Sequence, residues 1–253
     1  MHTERQTLKP LLGLLLALAG ILLTSSVHAA PLKILIYGGT GNIGQRIVAE
    51  ALQRGDTVTV IARYPERAPL PPAERLHVVA GDVLDTESVT RALQGEDVVV
   101  SALNSGRGND SEGADFLLRA TQSLITAERA LGSKAPRLLV VGGAGTLEVQ
   151  PGTTALDQMR ASAGGKLDPS FGPVQQQQVL EYLRTVGDIA WSYLSPSMMI
   201  EPGTRTGKFR LGGDQLLTDA AGKSHISMED YAVALLDEAD HPQHLHKRFT
   251  VGY

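Results

Sequence analysis

The chain has 253 residues, 42% of them hydrophobic, so it can bury one sizeable core, which argues against a disordered or fibrous protein. Its 23 lysines and arginines against 27 aspartates and glutamates give a net charge of -4. No basic stretch matches a phosphate backbone, so nucleic acid is not expected as a partner. There are no cysteines, which excludes disulfides, thiolate catalysis and iron–sulfur clusters.

The first 29 residues differ in composition from the rest. Arg5 and Lys9 precede an uncharged apolar run over residues 11–23, and small residues follow it at the spacing of a cleavage site. The run is shorter than the roughly 20 residues of a comfortable membrane span. We therefore predict that residues 1–29 are a signal peptide, that the mature protein is exported or periplasmic, and that it has no stable membrane span. An uncleaved anchor and a misassigned start, with a cytoplasmic protein, are the alternatives.

From residue 31 onward, short apolar runs alternate with segments of helical period, as in a parallel sheet with crossover helices. Uninterrupted apolar runs such as residues 98–100 are typical of central strands covered on both faces. Strands are predicted at residues 33–37, 57–61, 76–80, 98–101, 137–141 and 189–194, and helices at residues 43–54, 86–94, 114–131 and 174–185.

Three further segments complete the prediction. Residues 65–72 indicate a proline-rich surface loop, and residues 150–171 indicate an irregular insertion. Ser227 and Asp230 predict the capped start of a last helix. Neither loop is long enough to form a second domain, so we predict a single α/β domain over residues 30–253. Its sheet is doubly wound and parallel, and its C-terminal part forms a small substrate pocket.

A glycine-rich loop connects the first predicted strand to the first predicted helix. In this position Gly39 permits the tight turn, Gly41 lets the backbone approach a pyrophosphate, and Gly44 lets the helix pack on the sheet. Free N–H groups at the helix N-terminus then bind the phosphates. The loop therefore predicts a Rossmann-type fold that binds NAD(P)(H), the alternative being a tight turn without a ligand. The whole motif is Gly38, Gly39, Thr40, Gly41, Asn42, Ile43 and Gly44.

The residues that follow the second and third predicted strands indicate which dinucleotide the site binds. Arg63 stands where an NAD-selective site places an acidic residue against the ribose 2′-hydroxyl, and a guanidinium can pair with a 2′-phosphate. NADP is therefore favoured and NAD remains possible. Arg67 either assists or is a solvated loop charge. Asp82, followed by Val83, either accepts a hydrogen bond from the adenine amino group or only forms the turn before the next helix.

With these motifs, the sequence resembles the NAD(P)-binding atypical short-chain dehydrogenases, in particular the NmrA-like group and its flavin-reductase-like relatives. The resemblance covers nearly all of the chain after the signal segment, and its C-terminal motifs are the most specific part. It rests on the glycine loop and on residues 81–83, 140–145, 191–196, 201–208 and 227–232.

The resemblance also implies positions for the rest of the cofactor. Residues 198–208 would cover the acceptor side of the pocket, the alternative for Met198 and Met199 being a place in the core. The other contacts would come from the ends of the fourth, fifth and sixth strands. These residues are Ser101, Ala102 and Leu103, then Gly142 and Gly143 under the nicotinamide, and Pro196 at the carboxamide, the alternative for Pro196 being a strand terminator.

One feature of ordinary short-chain dehydrogenases is missing. They protonate a carbonyl with a Tyr that has a Lys four residues later, whereas here Tyr182 is followed by Val186, and Gly143 or Ala144 replaces the usual Ser. A flavin or quinone takes its proton from water, so orientation alone can suffice. We therefore predict an NAD(P)H-dependent oxidoreductase with a flavin- or quinone-type acceptor and no assigned catalytic residue. A non-catalytic NAD(P)-binding redox sensor is the alternative.

Two clusters of titratable residues are predicted to have no functional role. His241, His244 and His246 are close in sequence, but Pro242 breaks any helix there and no carboxylate cluster accompanies them, so a solvated loop is preferred to a metal site. A solvated helix start is likewise the interpretation of Asp110, Glu112 and Asp115.

Overall fold

The structure is a computed structural model, and it describes residues 30–105 and 113–253 together with His2. The predicted signal peptide therefore lies outside the described residues, apart from His2, and so do Asp110 and Glu112. The helices are α1 (Asn42–Arg54), α2 (Thr86–Ala92), α3 (Phe116–Leu131), α4 (Ala155–Ser162), α5 (Gly172–Leu183) and α6 (Met228–Asp240). The strands are β1 (Lys33–Tyr37), β2 (Thr57–Ala62), β3 (Leu76–Ala80), β4 (Val98–Ser101), β5 (Arg137–Val141), β6 (Glu148–Gln150), β7 (Thr153–Thr154), β8 (Trp191–Ser195), β9 (Met199–Glu201), β10 (Arg210–Gly212), β11 (His225–Ser227) and β12 (Lys247–Gly252).

The central sheet has the strand order β10-β12-β8-β5-β4-β1-β2-β3, and only β10 runs antiparallel to its neighbour. The chain builds outward from β1 to β2 and β3 on one side, and then returns to place β4 on the other side of β1. The strand order therefore reverses between β1 and β4. In open α/β sheets, ligands bind in the crevice at the carboxyl ends of the strands at such a point.

Helices cover both faces of the sheet, because side chains alternate between the faces along each strand. Ile34 and Ile36 pack in one buried cluster with α1 and α6. Leu35 and Tyr37 pack in the other cluster with α2, α3 and α5. The predicted single-domain, Rossmann-type doubly wound sheet is thus confirmed. Within the described residues, no helix is long and apolar enough to cross a membrane.

The sequence interpretation missed one helix, α4, and six strands, β6, β7, β9, β10, β11 and β12. The segment 150–171, predicted to be irregular, contains α4, and a capping box between Thr154 and Asp157 starts this helix. The final strand β12 was not predicted because its polar residues interrupt the apolar pattern. Arg248 and Thr250 are nevertheless buried, since both make hydrogen bonds inside the domain.

The boundaries of the predicted elements differ from the structure by at most two residues. The largest shifts include α5, which begins at Gly172 rather than at residue 174. Pro173 fits the first turn of a helix because its missing N–H group would have no partner there.

Glu128, on α3, is an unusual member of the core. It is fully buried, and neither of its carboxylate oxygens has a hydrogen-bond partner among the described residues. Burial raises the pKa of this carboxyl from 4.5 to about 9. The folded protein therefore holds a proton at Glu128 at neutral pH, whereas the unfolded chain releases it.

This difference predicts a pH dependence of stability. Between pH 4.5 and about 9 the folded state binds one more proton than the unfolded state, so the free energy of unfolding falls as the pH rises. The Glu128→Gln variant has no titrating group there. Relative to this variant, the wild type should lose about 1.4 kcal/mol per pH unit in urea unfolding between about pH 6 and about pH 8.

The matched control is Glu87→Gln, which makes the same substitution at an exposed position on α2. It should leave the pH dependence of the wild type unchanged. Unfolding free energies of the wild type and Glu128→Gln that run parallel across this pH range would contradict the buried, protonated state of Glu128.

Candidate cofactor-binding site

A cavity of about 440 Å³ lies at the carboxyl ends of β1, β2, β3 and β4, next to the point where the strand order reverses. Its walls come from the glycine loop, the loop after β2, the turn after β3 and the end of β4. The lining residues are Tyr37, Gly38, Thr40, Gly41, Ile61, Ala62, Arg63, Tyr64, Arg67, Ala68, Pro69, Gly81, Asp82, Val83, Leu84, Ala102, Leu103, Asn104 and Phe116.

The glycine loop brings backbone atoms of β1, β4 and α1 close together. Gly38 has φ +80°, and a β-carbon there would overlap the backbone carbonyl of Ala102 at the end of β4. A β-carbon at Gly44 would overlap the carbonyl oxygen of Gly38, and one at Gly39 would lie 2.9 Å from the side chain of Val60. All three positions therefore require glycine on steric grounds.

These contacts refine the predicted roles of two glycines. The positive φ of the loop belongs to Gly38, while Gly39 lies inside the turn from Gly38 to Gly41 and passes close to Val60 on β2. Gly44 packs on the backbone of Gly38 and Gly39, which directly follow β1, so the start of α1 can lie against the end of this strand.

Gly41 is the N-cap of α1 and supplies no side-chain cap to the first turn. The N–H groups of the first helical residues, which include Asn42 and Ile43, point out of the N-terminus and are available to an anion. The turn itself is held by a hydrogen bond of 3.0 Å from the Gly41 N–H to the Gly38 carbonyl. The side chain of Gln45 also donates to the Thr40 carbonyl, at 2.9 Å.

The structure brings about half of the predicted site residues together. Gly38, Thr40, Gly41, Arg63, Asp82, Val83, Ala102 and Leu103 line the cavity. Others lie behind its wall or at the neighbouring strand ends. These are Gly39, Asn42, Ile43 and Gly44 in the loop and first turn, Ser101, which is buried beside a small void behind Leu103, and Gly142, Gly143 and Pro196 at the ends of β5 and β8.

Cations and an aromatic ring lie at the end of the cavity beyond β2. The guanidinium of Arg67 lies over the ring of Tyr64, 5.1 Å from its centroid, and both residues line the cavity with Arg63. Arg67 also lies 3.6 Å from Glu66. Arg67 therefore belongs to the cavity wall, although its side chain is largely exposed.

Asp82 forms the turn that follows β3. Its Oδ1 accepts a hydrogen bond of 2.9 Å from the backbone of Leu84, while Asp85, three residues later, caps α2. The turn role is thus present, and the side chain still borders the cavity. Below it, burial and the nearby charges of Asp82 and Asp85 raise the pKa of Tyr37, so that phenol stays uncharged.

The interpretation of the sequence missed several lining residues. Tyr37 precedes the first glycine, and its side chain faces the α2 side of the sheet, as its place in the strand alternation could have indicated. Pro69 lies in the loop predicted only as surface, and Tyr64 immediately precedes that loop. Asn104 and Phe116 come from the end of β4 and the start of α3, where no local motif marks them.

At the carboxyl end of β5, glycines are required by two neighbouring side chains. The ring of Tyr193, on β8, occupies the space that a β-carbon at Gly142 would need, and Gln176 packs against Gly143. The Tyr193 hydroxyl accepts a hydrogen bond from the Gly143 N–H at 3.2 Å and donates to Gln176 Oε1 at 2.9 Å. Burial raises the pKa of Tyr193, and the residue is inaccessible to solvent.

Part of the C-terminal segment lies away from the acceptor side that it was expected to cover. Gly203 donates a hydrogen bond of 2.7 Å to Glu229 on α6, and Arg205 pairs with Glu50 on α1 at 2.6 Å. Residues 203–207 therefore pack on the α1 and α6 face of the sheet. Acidic groups on these helices attract the segment, and their positions could not be read from the motif. Met198, 41% exposed, remains near the carboxyl end of β8.

The remaining titratable clusters are engaged elsewhere. His244 Nδ1 is paired at 2.8 Å with the buried Glu238, and His246 Nε2 is 2.8 Å from the Ile189 carbonyl. In the part of the chain that the structure describes, no three His, Asp or Glu side chains are grouped as a metal site requires. Asp115 lies at the start of α3 and pairs with Arg119 at 3.2 Å.

A known protein family matches most of the chain. Residues 38–242, which include the glycine loop and every lining residue of the cavity except Tyr37, match the family described as NAD(P)H-binding. The chain belongs to this NAD(P)H-binding family. Its membership confirms the predicted resemblance to the atypical, NmrA-like short-chain dehydrogenases.

Three relatives of the NAD(P)H-binding chain extend over nearly its whole domain. Protein YwnB of Bacillus subtilis (strain 168) is 34% identical over 223 residues, covering 87% of this chain and 98% of YwnB. The structure of a candidate exported protein from Burkholderia pseudomallei is 38% identical, with a TM-score of 0.72, and covers 88% of this chain and 100% of its own. A candidate NADH-flavin reductase from Streptococcus pneumoniae TIGR4 is 29% identical, with a TM-score of 0.70, and covers 87% and 99%.

A substitution in the glycine loop can test cofactor contact separately from folding. Gly41 has φ -78°, which alanine adopts, and its β-carbon would approach only the Gly38 carbonyl oxygen, at 3.3 Å. Gly41→Ala should therefore remain folded, while its methyl group keeps the dinucleotide away from the helix N-terminus. Its dissociation constant for NADPH, measured by fluorescence titration, should rise about tenfold or more, equivalent to about 1.4 kcal/mol.

The matched control is Gly187→Ala, since nothing lies within 4 Å of a β-carbon at that position. This control should bind NADPH as the wild type does. Unchanged NADPH affinity in a folded Gly41→Ala protein would show that the loop does not contact the cofactor.

Proposed function

We propose that this protein is an NAD(P)H-dependent reductase that transfers a hydride to a flavin- or quinone-type acceptor. Membership of an NAD(P)H-binding family and the cavity at the carboxyl edge of the sheet support the cofactor. The relative from Streptococcus pneumoniae is a candidate NADH-flavin reductase, which is consistent with a flavin acceptor.

The observation that carries the proposed chemistry is the composition of the carboxyl end of β5. Gly142 and Gly143 present backbone there, Gln176 packs against them, and the phenol of Tyr193 is buried and hydrogen-bonded. A buried phenol of raised pKa is a poor proton donor to a substrate. Such a surface suits an acceptor that needs orientation and takes its proton from water.

Apolar side chains near this edge favour a planar, aromatic acceptor. Phe171 precedes α5 and is 41% exposed, and Met198 follows β8 with the same exposure. Pro173, the second residue of α5, lies against Gly145 just beyond β5. Phe171 and Met198 are therefore our candidates for the side chains that flank the proposed nicotinamide position. Exposed aromatic and methionine side chains stack well on flat conjugated rings.

NADPH is the proposed cofactor rather than NADH. Arg63 and Arg67 line the cavity beyond β2, where the ribose 2′-position of a bound dinucleotide is expected. Two guanidinium groups can neutralise a 2′-phosphate, and an acidic residue, which would repel it, is absent from the end of β2.

Export of the mature domain, residues 30–253, is part of the same proposal. The composition of residues 1–29 supports it, and the relative from Burkholderia pseudomallei is a candidate exported protein. The reductase would then use nicotinamide cofactor outside the cytoplasm.

The activity is tested by following the nicotinamide absorbance band after mixing purified protein, NADPH and one acceptor. FMN, riboflavin and menadione represent the two acceptor types. At least one should give a rate about tenfold or more above the reaction without protein, equivalent to about 1.4 kcal/mol of barrier lowering. The Gly41→Ala variant should be slower at subsaturating NADPH. Tight NADPH binding with no consumption by any acceptor would contradict a reductase and favour a redox sensor.

The cofactor preference is tested with Arg63→Gln. Loss of one charged hydrogen-bonding group from the 2′-phosphate should raise the dissociation constant for NADPH about tenfold, or about 1.4 kcal/mol, and leave that for NADH unchanged. Arg91→Gln, an exposed arginine on α2, is the matched control and should alter neither value. Equal weakening of NADPH and NADH by Arg63→Gln would rule out recognition of the 2′-phosphate.

A further inference from the structure

A second cavity of about 560 Å³ forms a groove along the outer surface of α1. It lies between this helix, the proline-rich loop after β2 and the segment that contains Arg205. Leu52, Leu70 and Leu76 contribute to its apolar floor, and all three also pack on the hydrophobic core below. The proposed reaction uses none of these side chains, although Pro69 borders both this groove and the cofactor cavity.

The charged residues at the edge of the groove are paired with one another. Arg46 pairs with Glu229 at 3.2 Å, and Arg205 pairs with Glu50 at 2.6 Å. Burial of Glu50 opposes its ionisation, but hydrogen bonds from Arg205 and Arg54 outweigh this and hold its pKa below the ordinary value. Since these side chains satisfy one another, the groove suits an uncharged, apolar occupant.

The N-terminal end of the domain lies beside this groove. Leu32 donates its backbone N–H to Asp56 at 2.9 Å and accepts from Thr57, just after the end of α1. Gly55, at that helix end, in turn accepts a hydrogen bond from Arg75, the residue before Leu76 in the groove. Whatever precedes residue 30 therefore leaves the domain close to the C-terminal end of α1.

The preceding chain has the composition and length to occupy the groove. Residues 11–23 are apolar throughout and carry no charge. Six residues lie between residue 23 and residue 30, and the seven steps of an extended chain from one to the other span up to about 25 Å. Because α1, with 13 residues, is about 20 Å long, the apolar run can reach any point along its outer surface.

We propose that residues 11–23, while they remain attached to the domain, bind in the groove along α1. The run replaces water over Leu52, Leu70 and Leu76, and cleavage of residues 1–29 then exposes this apolar surface. The unprocessed and mature forms consequently differ at the loop that also borders the cofactor cavity.

The absence of cysteines permits a direct test by disulfide trapping in the full chain. In the Ala17→Cys, Ala49→Cys double variant, one thiol lies in the apolar run and the other on the exposed side of α1 within the groove. The matched control is Ala17→Cys with Ala161→Cys, whose second thiol is exposed on α4. Intact mass confirms that residues 1–29 are present, and glutathione disulfide serves as the oxidant.

The first pair should form an intramolecular disulfide about tenfold faster than the control pair, because docking raises the effective concentration of the two thiols. Adding Leu14→Asp and Leu18→Asp should remove this difference, since charged side chains are expelled from an apolar groove. Equal rates for the two pairs, or disulfides that form only between chains, would overturn the proposal. The readout needs neither cofactor binding nor turnover, so it is independent of the proposed reductase activity.

Discussion

The candidate site depends on close contacts between separate backbone segments at Gly38. The carbonyl of Gly38 meets the α-carbon of Gly44 in α1, and the α-carbon of Gly38 meets the carbonyl of Ala102 just after β4. These contacts fix the end of β1 relative to its neighbouring strand and its following helix. They also leave the N-terminus of α1 pointing into the cavity without a side-chain cap, which is the arrangement that a pyrophosphate requires.

At both ends of the site, glycines bring backbone atoms rather than side chains next to the proposed cofactor position. Below the proposed nicotinamide position, the ring of Tyr193 occupies the space beside the buried Gly142, so backbone again replaces a side chain at the end of β5. A site built mainly from backbone and apolar groups can orient two flat molecules closely, but it supplies little acid–base chemistry. This division agrees with a hydride transfer in which the cofactor and acceptor provide the reactivity.

Local patterns predicted most of the fold, because alternation of apolar runs and helical periods is a property of contiguous residues. The residues around the glycine loop and Arg63 were also predictable, since each follows directly from a strand end. Tyr64 and Phe116 were not, because they enter the cavity through long-range packing. The packing of Arg205 on Glu50 was missed for the same reason: 155 residues separate the partners, and only the folded α1 brings them together.

We expect the cavity between the glycine loop and Arg63 to hold a dinucleotide whose nicotinamide extends towards Gly142. The decisive measurement is a crystal structure of the protein with NADPH. It should show pyrophosphate density at the N-terminus of α1, the 2′-phosphate beside Arg63, and the nicotinamide ring over Gly142 and Gly143. Dinucleotide bound elsewhere, or density for the adenosine half with the nicotinamide directed away from β5, would contradict it.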